Sequence, residues 1–348
     1  MNALKPLIVR LAAGARLTRD EAAQAFEHIF AGEATQAQIG ALLMALRLRG
    51  ETIDEIVGAV LALRARMRRV RAPEGAIDIV GTGGDGHGTF NVSTFAAIVV
   101  AACGVPVAKH GNRAASSLSG SSDVLSALGV RVGLEPDEVE ACLETAGLAF
   151  MSAQAHHAAM RHAAGARAEL GLRTIFNLIG PLSNPAEVRL QLLGVYSRDW
   201  LAPLADALRT LGARRVWVVH GSDGLDEATL TGPTFVTALE DGAIRSFEIT
   251  PEDAGLKRAA LSELKGGSPD FNAAALRAAL DGHRSAYRDI AVLNAAAALV
   301  VAGRADDLRG GAELAAAAID EGRAAATLQK LVAASRKTDS TDAAAAAG

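Results

Sequence analysis

The chain has 348 residues, with 35 lysines and arginines against 39 aspartates and glutamates, and a formal net charge of −4. That balance excludes a global basic field for a nucleic-acid backbone, and 4% aromatic residues supply few platforms for stacked bases. With 50% hydrophobic residues the chain can bury a large core, which excludes wholesale disorder, and its length suits two or three domains.

The N-terminus, MNALKPLIVRLAAG, is too short and too soon charged for a secretory signal. The longest nearly uncharged apolar stretch, 95–108, is broken by Gly104 and Pro106 and falls short of the roughly 20 residues of a membrane span. Cys103 and Cys142 sit in apolar helical stretches and read as buried, reduced thiols. A soluble cytoplasmic protein with no membrane or nucleic-acid partner is expected.

The first seventy residues read as helices. Thr18-Arg-Asp-Glu21, Thr35-Gln-Ala-Gln38 and Thr52-Ile-Asp-Glu55 each match the capping box, a hydroxyl at the cap with Glu or Gln three residues on. Gly32 and Gly50 stand where left-handed helix ends are wanted. Ile39, Leu42, Leu43 and Leu46 recur at helical spacing. The basic run 64–71 closes this part as a solvated helix face.

After Pro73 strands alternate with helices. Strands are expected over 77–80, 105–108, 130–132, 148–151, 190–195 and 216–219, and helices over 92–103, 121–128, 136–146 and 199–211. Such alternation predicts a mainly parallel sheet covered by helices on both faces. Its ligands bind beyond the carboxyl ends of the strands. A hairpin is expected over 234–249, then Ala-rich helices over 285–302 and 312–334. From Arg336 onward a frayed tail is expected. The domains predicted are 1–72, helical, and 73–335, α/β, with 336–348 as the tail.

Gly81-Thr-Gly-Gly-Asp-Gly86 follows a strand and formally fits G-x-G-x-x-G, but the helix starts only after Phe90. The next strand ends at Lys109, where a dinucleotide fold would want an acid, and a lysine suits phosphate better. Glycines let backbone amides approach an anion, and Asn91-Val-Ser-Thr94 opens a helix whose free amides form a second anion site. The loop 109–117 adds two cations, a glycine, an amide and paired hydroxyls, with Gly120-Ser121 leading into another helix. Three anion-ready loops imply a ligand with more than one phosphate.

Asp226 and Glu227 are adjacent carboxylates in the loop 220–227, free of helix geometry. Oxygen ligands of this kind suit Mg²⁺ shared with substrate phosphates, and Ser93 can add a hydroxyl. His156, His157 and His162 lack zinc-pair spacing and read as packed or surface residues.

Taken together, GTGGDGHGTFNVST at 81–94, KHGNRAASSLSGSSDVLSALG at 109–129, RTIFNLIGPLSNP at 173–185 and HGSDGLDE at 220–227 resemble the anthranilate phosphoribosyltransferases. The resemblance runs through nearly the whole chain. It implies a small helical domain completed by a segment near 170–190, a larger phosphorylase-like α/β domain joined by a hinge, and a homodimer built through the helical domains. It implies transfer of phosphoribose from phosphoribosyl pyrophosphate to the amine of anthranilate, in tryptophan biosynthesis, with two Mg²⁺ per chain. By motif, the donor would meet Gly81, Gly84, Asp85, Thr89, Asn91, Val92, Ser93, Thr94, Lys109, His110, Gly111, Asn112, Arg113, Ala114, Ala115, Ser116, Ser117 and Ser121. Ser93, Asp226 and Glu227 would hold the metal. Anthranilate would meet Gly81, His110, Asn112 and Arg167, and Lys109, Asn112 and Arg167 would be the catalytic residues. A guanidinium at Arg167 can receive the acceptor carboxylate as a fork.

Ala115, Met151 and Ala158 depart from the family's usual residues and bear on the acceptor channel, not on phosphate or metal chemistry. Two other classes compete. A pyrimidine nucleoside phosphorylase has no pyrophosphate to hold, and a non-catalytic nucleic-acid-binding homologue predicts lost metal carboxylates and a basic surface. The Asp226–Glu227 pair and the net charge of −4 favour the transferase.

Overall fold

The computed structural model describes residues 4–113 and 118–345, with side chains to Arg336. Four helices open the chain: α1 (Leu4–Ala12), α2 (Arg19–Phe30), α3 (Gln36–Arg49) and α4 (Ile53–Arg64). Thr18, Thr35 and Thr52 each form the reciprocal capping box, worth about 1 kcal/mol apiece. Gly32 and Gly50 take the left-handed φ of 76° and 89° that stops α2 and α3.

The α/β part runs β1 (Ile77–Gly81), α5 (Val92–Ala102), β2 (Val107–Gly111), α6 (Ser121–Ala127), α7 (Pro136–Ala146) and β3 (Leu148–Ser152). Three helices follow, α8 (Ala153–His156), α9 (Arg161–Leu170) and α10 (Ile175–Ile179), then β4 (Leu190–Gly194), α11 (Leu201–Thr210) and β5 (Arg215–Gly221). The hairpin β6 (Thr234–Glu240) and β7 (Ala243–Ile249) precedes α12 (Pro269–Leu280), α13 (Ala286–Val301), α14 (Leu308–Asp320) and α15 (Arg323–Ala345).

The seven strands form one sheet in the order β3-β2-β1-β4-β5-β6-β7. The first five are parallel, and β6 and β7 are antiparallel. Alternate strand residues face two cores. Val80, Leu193, Val216 and Val218 pack towards α1–α4, α10 and α11, around Phe26, Phe30 and Phe176. Ile79, Leu192, Trp217 and Val219 pack towards α5, α13 and α14. The segment 161–182 joins the N-terminal helices: Gln36 Oε1 accepts the Ala166 amide at 2.7 Å, and Phe26 meets Phe176 edge-on at 5.8 Å. No described helix is long and apolar enough to cross a membrane.

Three sequence expectations need correction, and one helix was not foreseen. Residues 130–132 form no strand, because Arg131 turns to the last helix: its amide donates to Ser335 Oγ at 3.1 Å and its Nε to the Ser335 carbonyl at 2.8 Å. The Ala-rich stretch is two helices, parted at Gly322 with φ 75°. The helix α12 was not anticipated; Ser268 caps it and Pro269 opens it. The backbone of α15 runs on to Ala345, where a frayed tail was expected, in keeping with alanine's high helix propensity.

Candidate active site

Strand order reverses direction at β1, and β1 and β4 lie side by side with Gly81 paired to Gly194. A crevice opens beyond the carboxyl ends of strands at such a point. β1, β2, β4 and β5 all end in glycine there: Gly81, Gly111, Gly194 and Gly221. At Gly81 a Cβ would overlap the Asp226 carboxylate, and at Gly194 it would overlap the Asp226 carbonyl. The missing side chains let the acidic loop after β5 descend onto the sheet.

The loop after β1 meets it from the other side. Gly83 and Gly84 take left-handed φ of 66° and 76°, and the Gly83 amide donates to Asp226 Oδ2 at 2.6 Å. Asp85 lies beside Asp226 and Glu227, and its Oδ1 accepts the His87 amide at 3.1 Å. Glu227 Oε1 accepts the Ser93 amide at the start of α5, at 3.2 Å. Asp223 accepts the Thr229 and Thr231 hydroxyls at 2.7 and 2.8 Å and so holds the loop's shape.

Lys109, on β2, is 2% exposed; its Nζ donates to the Ile79 carbonyl and, at 3.3 Å, to Ser93 Oγ. Burial pushes its ammonium below the ordinary lysine value, opposed by the negative charges of Asp78, Glu227 and Asp226. Burial and the negative charge of Asp85 push Asp226 up to about 7. Burial and Asp226 raise Glu227 well above the ordinary carboxylate range. Burial likewise raises Asp78 to about 6, opposed by Lys109 and by hydrogen bonds from Asn184 and His110. Asp226 and Glu227, side by side and repelling one another, are a pair that a bound cation would stabilise.

Among the described residues no three His, Cys, Asp or Glu side chains converge as a self-sufficient metal cage. Two carboxylates and the Ser93 hydroxyl instead fit an ion whose remaining ligands come from substrate phosphate and water.

Of the acceptor candidates, Gly81 borders this cluster and His110 follows Lys109 on β2. His110 is buried, with Nε2 unpartnered among the described residues, and its ring stands 5.1 Å from that of His157. Burial and the neighbouring His157 push His110 well below its ordinary value, so it is neutral. Asn112 and Arg113 are exposed at the end of β2, where Asn112 Oδ1 accepts the Arg113 amide at 2.8 Å. Arg167, half-buried on α9, lies 5.0 Å over the Phe176 ring and makes no ion pair among the described residues. Thr89 bridges to Lys265, and Ser121 opens α6. Ala114, Ala115, Ser116 and Ser117 lie outside the described residues.

Sequence reasoning missed several neighbours of these groups. Arg173 donates to the Gly84 carbonyl and lies 4.6 Å over the Tyr196 ring, bridging the α9–α10 turn to the glycine loop. Asp78 Oδ1 accepts the His110 amide at 3.1 Å, and its Oδ2 accepts from Asn184 Nδ2 at 2.8 Å. Arg173 and Asn184 both stand in the segment 173–185, which carried the resemblance without a role for either. Asp78, an acid in an otherwise apolar strand, was the available signal.

Comparison with known proteins now bears on this arrangement. The model of the glycosyl transferase family a/b domain matches residues 73–325, and that of the family's helical bundle domain matches residues 5–67. The chain is 74% identical to an anthranilate phosphoribosyltransferase of Methylocella silvestris, with 97% of each chain covered. It is 68% identical to one of Beijerinckia indica, over 97% of this chain and 98% of that one. Its fold superposes on the Thermus thermophilus anthranilate phosphoribosyltransferase with a TM-score of 0.90, at 45% identity over 97% of this chain and all of the other. The Saccharomyces cerevisiae enzyme in complex with PRPP and Mg matches with a TM-score of 0.89, at 27% identity over 95% and 97% of the two chains.

Proposed function

The chain belongs to the anthranilate phosphoribosyltransferase family, and from that premise we propose that its cleft transfers phosphoribose from phosphoribosyl pyrophosphate to anthranilate. The C1–O bond to pyrophosphate breaks, the leaving group takes the bonding pair, and the anthranilate nitrogen forms the new C1–N bond and releases a proton. The observation that carries this reading is the buried Asp226 with the half-buried Glu227 beside it, facing Lys109 and the open glycine loop. A yeast family member is named as binding PRPP and Mg, and another yeast structure as binding 4-fluoroanthranilate.

In this reading Asp226, Glu227 and Ser93 hold Mg²⁺, two ions per chain. Bound there, magnesium supplies positive charge to the departing pyrophosphate. Lys109 and the amides of the glycine loop add to that stabilisation without reorganising, because the fold fixes them beforehand. The donor set extends over Gly81, Gly84, Asp85, Thr89, residues 91–94, residues 109–117 and Ser121. An aromatic amine is already unprotonated at neutral pH, so Arg167, Asn112 and His110, beside Gly81, act by holding anthranilate in line. Arg167 suits the carboxylate because its guanidinium is half-buried and has no ion-pair partner among the described residues.

We infer a homodimer through the helical part. Val9 on α1, Leu48 on α3 and Leu61 on α4 are 60%, 81% and 44% exposed, an apolar presentation that association would cover. The two buried free thiols suit the reducing cytoplasm.

The test is loss of anthranilate fluorescence with phosphoribosyl pyrophosphate and Mg²⁺, with and without EDTA. A decay that EDTA abolishes is expected. A steady signal from folded protein overturns the reading. Calorimetric titration reads the metal stoichiometry, and light scattering the dimer.

A further inference from the structure

Asn91 stands at the cap position of α5 yet makes no capping bond. Asparagine is among the strongest N-cap residues, because its side-chain oxygen accepts from the second or third amide of the helix. Here that oxygen is engaged elsewhere. Asn272 Nδ2 donates to Asn91 Oδ1 at 3.0 Å and Ser119 Oγ donates to it at 3.3 Å, while Asn91 Nδ2 donates to the Ser119 carbonyl at 3.1 Å. Asn272 is 1% exposed, and its Oδ1 accepts the Gly267 amide at 2.8 Å, which fixes its Nδ2 towards Asn91. Just inside the turn so released, Thr94 Oγ1 is buried with no partner among the described residues.

We propose that Asn272 is a positioning residue for the phosphoribosyl donor. By keeping the Asn91 carboxamide off the first turn of α5, where Glu227 already holds the Ser93 amide, it leaves the Thr94 amide to the pyrophosphate. The inference rests on the donor-binding reading above. Loss of Asn272 removes one of the two donors to Asn91 Oδ1 and leaves Ser119 as the other, so the carboxamide can turn onto the Thr94 amide and cap the helix in competition with the anion. The segment 264–272 is built to carry this residue to the glycine loop: the Phe90 amide donates to the Leu264 carbonyl and the Gly266 amide to the Gly88 carbonyl, both at 3.0 Å.

The experiment is a double-mutant cycle in the full-length protein, read by calorimetric titration with inorganic pyrophosphate and Mg²⁺ and by the KM of each substrate. Asn272→Leu is expected to weaken pyrophosphate and raise the donor KM by about 5- to 20-fold, leaving the anthranilate KM within about twofold. In an Asn91→Ala background, Asn272→Leu is expected to have no further effect, because the competing cap is already gone. Equal weakening in both backgrounds, or no weakening in either, overturns the proposal. Asn272→Asp, which keeps the bond to Gly267 and loses the donor to Asn91, replaces the leucine variant if that one fails to fold. A wild-type protein that binds pyrophosphate but transfers no phosphoribose would sink the functional reading and leave the binding cycle interpretable.

Discussion

Gly194 lies so close beneath Asp226 that a single methyl group at its α-carbon would occupy the Asp226 carbonyl. The last residue of β4 and the acid of the loop after β5 are therefore one packing unit, and the position of the candidate metal carboxylate depends on an absent side chain.

Gly194→Ala is expected to push the 222–227 loop off the sheet. Overpacking of this kind costs about 1–3 kcal/mol, and a displacement of the reacting groups by about 1 Å costs on the order of 100-fold in turnover. Thermal unfolding and steady-state rates check both. Unchanged turnover would show that the loop position is not critical.

Asp226→Asn with Glu227→Gln separates stability from catalysis. Two adjacent, mutually repelling carboxylates are removed, so the metal-free protein should melt no lower than wild type. Turnover should fall by about 100-fold or more, since the charge facing the leaving group is lost. Wild-type turnover in this variant removes the metal assignment.

Arg167→Ala addresses the acceptor. Losing a charge-assisted contact to a carboxylate should raise the anthranilate KM by roughly 10- to 100-fold and leave the donor KM nearly unchanged. Parallel increases in both would place the arginine's contribution in folding of the cleft.

The pH dependence of stability carries a histidine signature. Burial and the neighbouring His156 lower His157 from 6.5 to about 4. A depressed histidine stays neutral in the fold while the unfolded chain binds a proton. Its contribution is therefore intact above about pH 6.5 and is lost as pH falls towards 4, at no more than about 1.4 kcal/mol per pH unit. The difference in unfolding free energy between wild type and His157→Gln should shrink over that interval. A constant difference between pH 7 and 4 would mean that His157 titrates normally.

What the sequence revealed was local in origin. Thr18, Thr35 and Thr52 announce their helices because each capping box closes within four residues. The strand running into Gly81, and the acidic pair at 226–227, were legible for the same reason. The strand expected at 130–132 failed because pairing is decided by neighbours, and there Ser335 offers Arg131 a hydroxyl and a carbonyl in place of a ladder. Arg173 and Asn272 were illegible because each acts on a residue far away in the chain, with no periodicity to mark it. The groups of the loops themselves could be read; those that hold them from far along the chain could not.

The bonds around the glycine loop also set an order of events during synthesis. Gly83 is fastened by Asp226, 143 residues later, and Asn91 by Asn272, 181 residues later. On the ribosome the loop therefore emerges long before the partners that shape it. Contacts of such separation form late because the intervening chain must first be ordered. A nascent chain stalled before Asn272 would already hold β1 to β7 and the acidic pair, yet Asn91 Oδ1 would still lack one of its two donors.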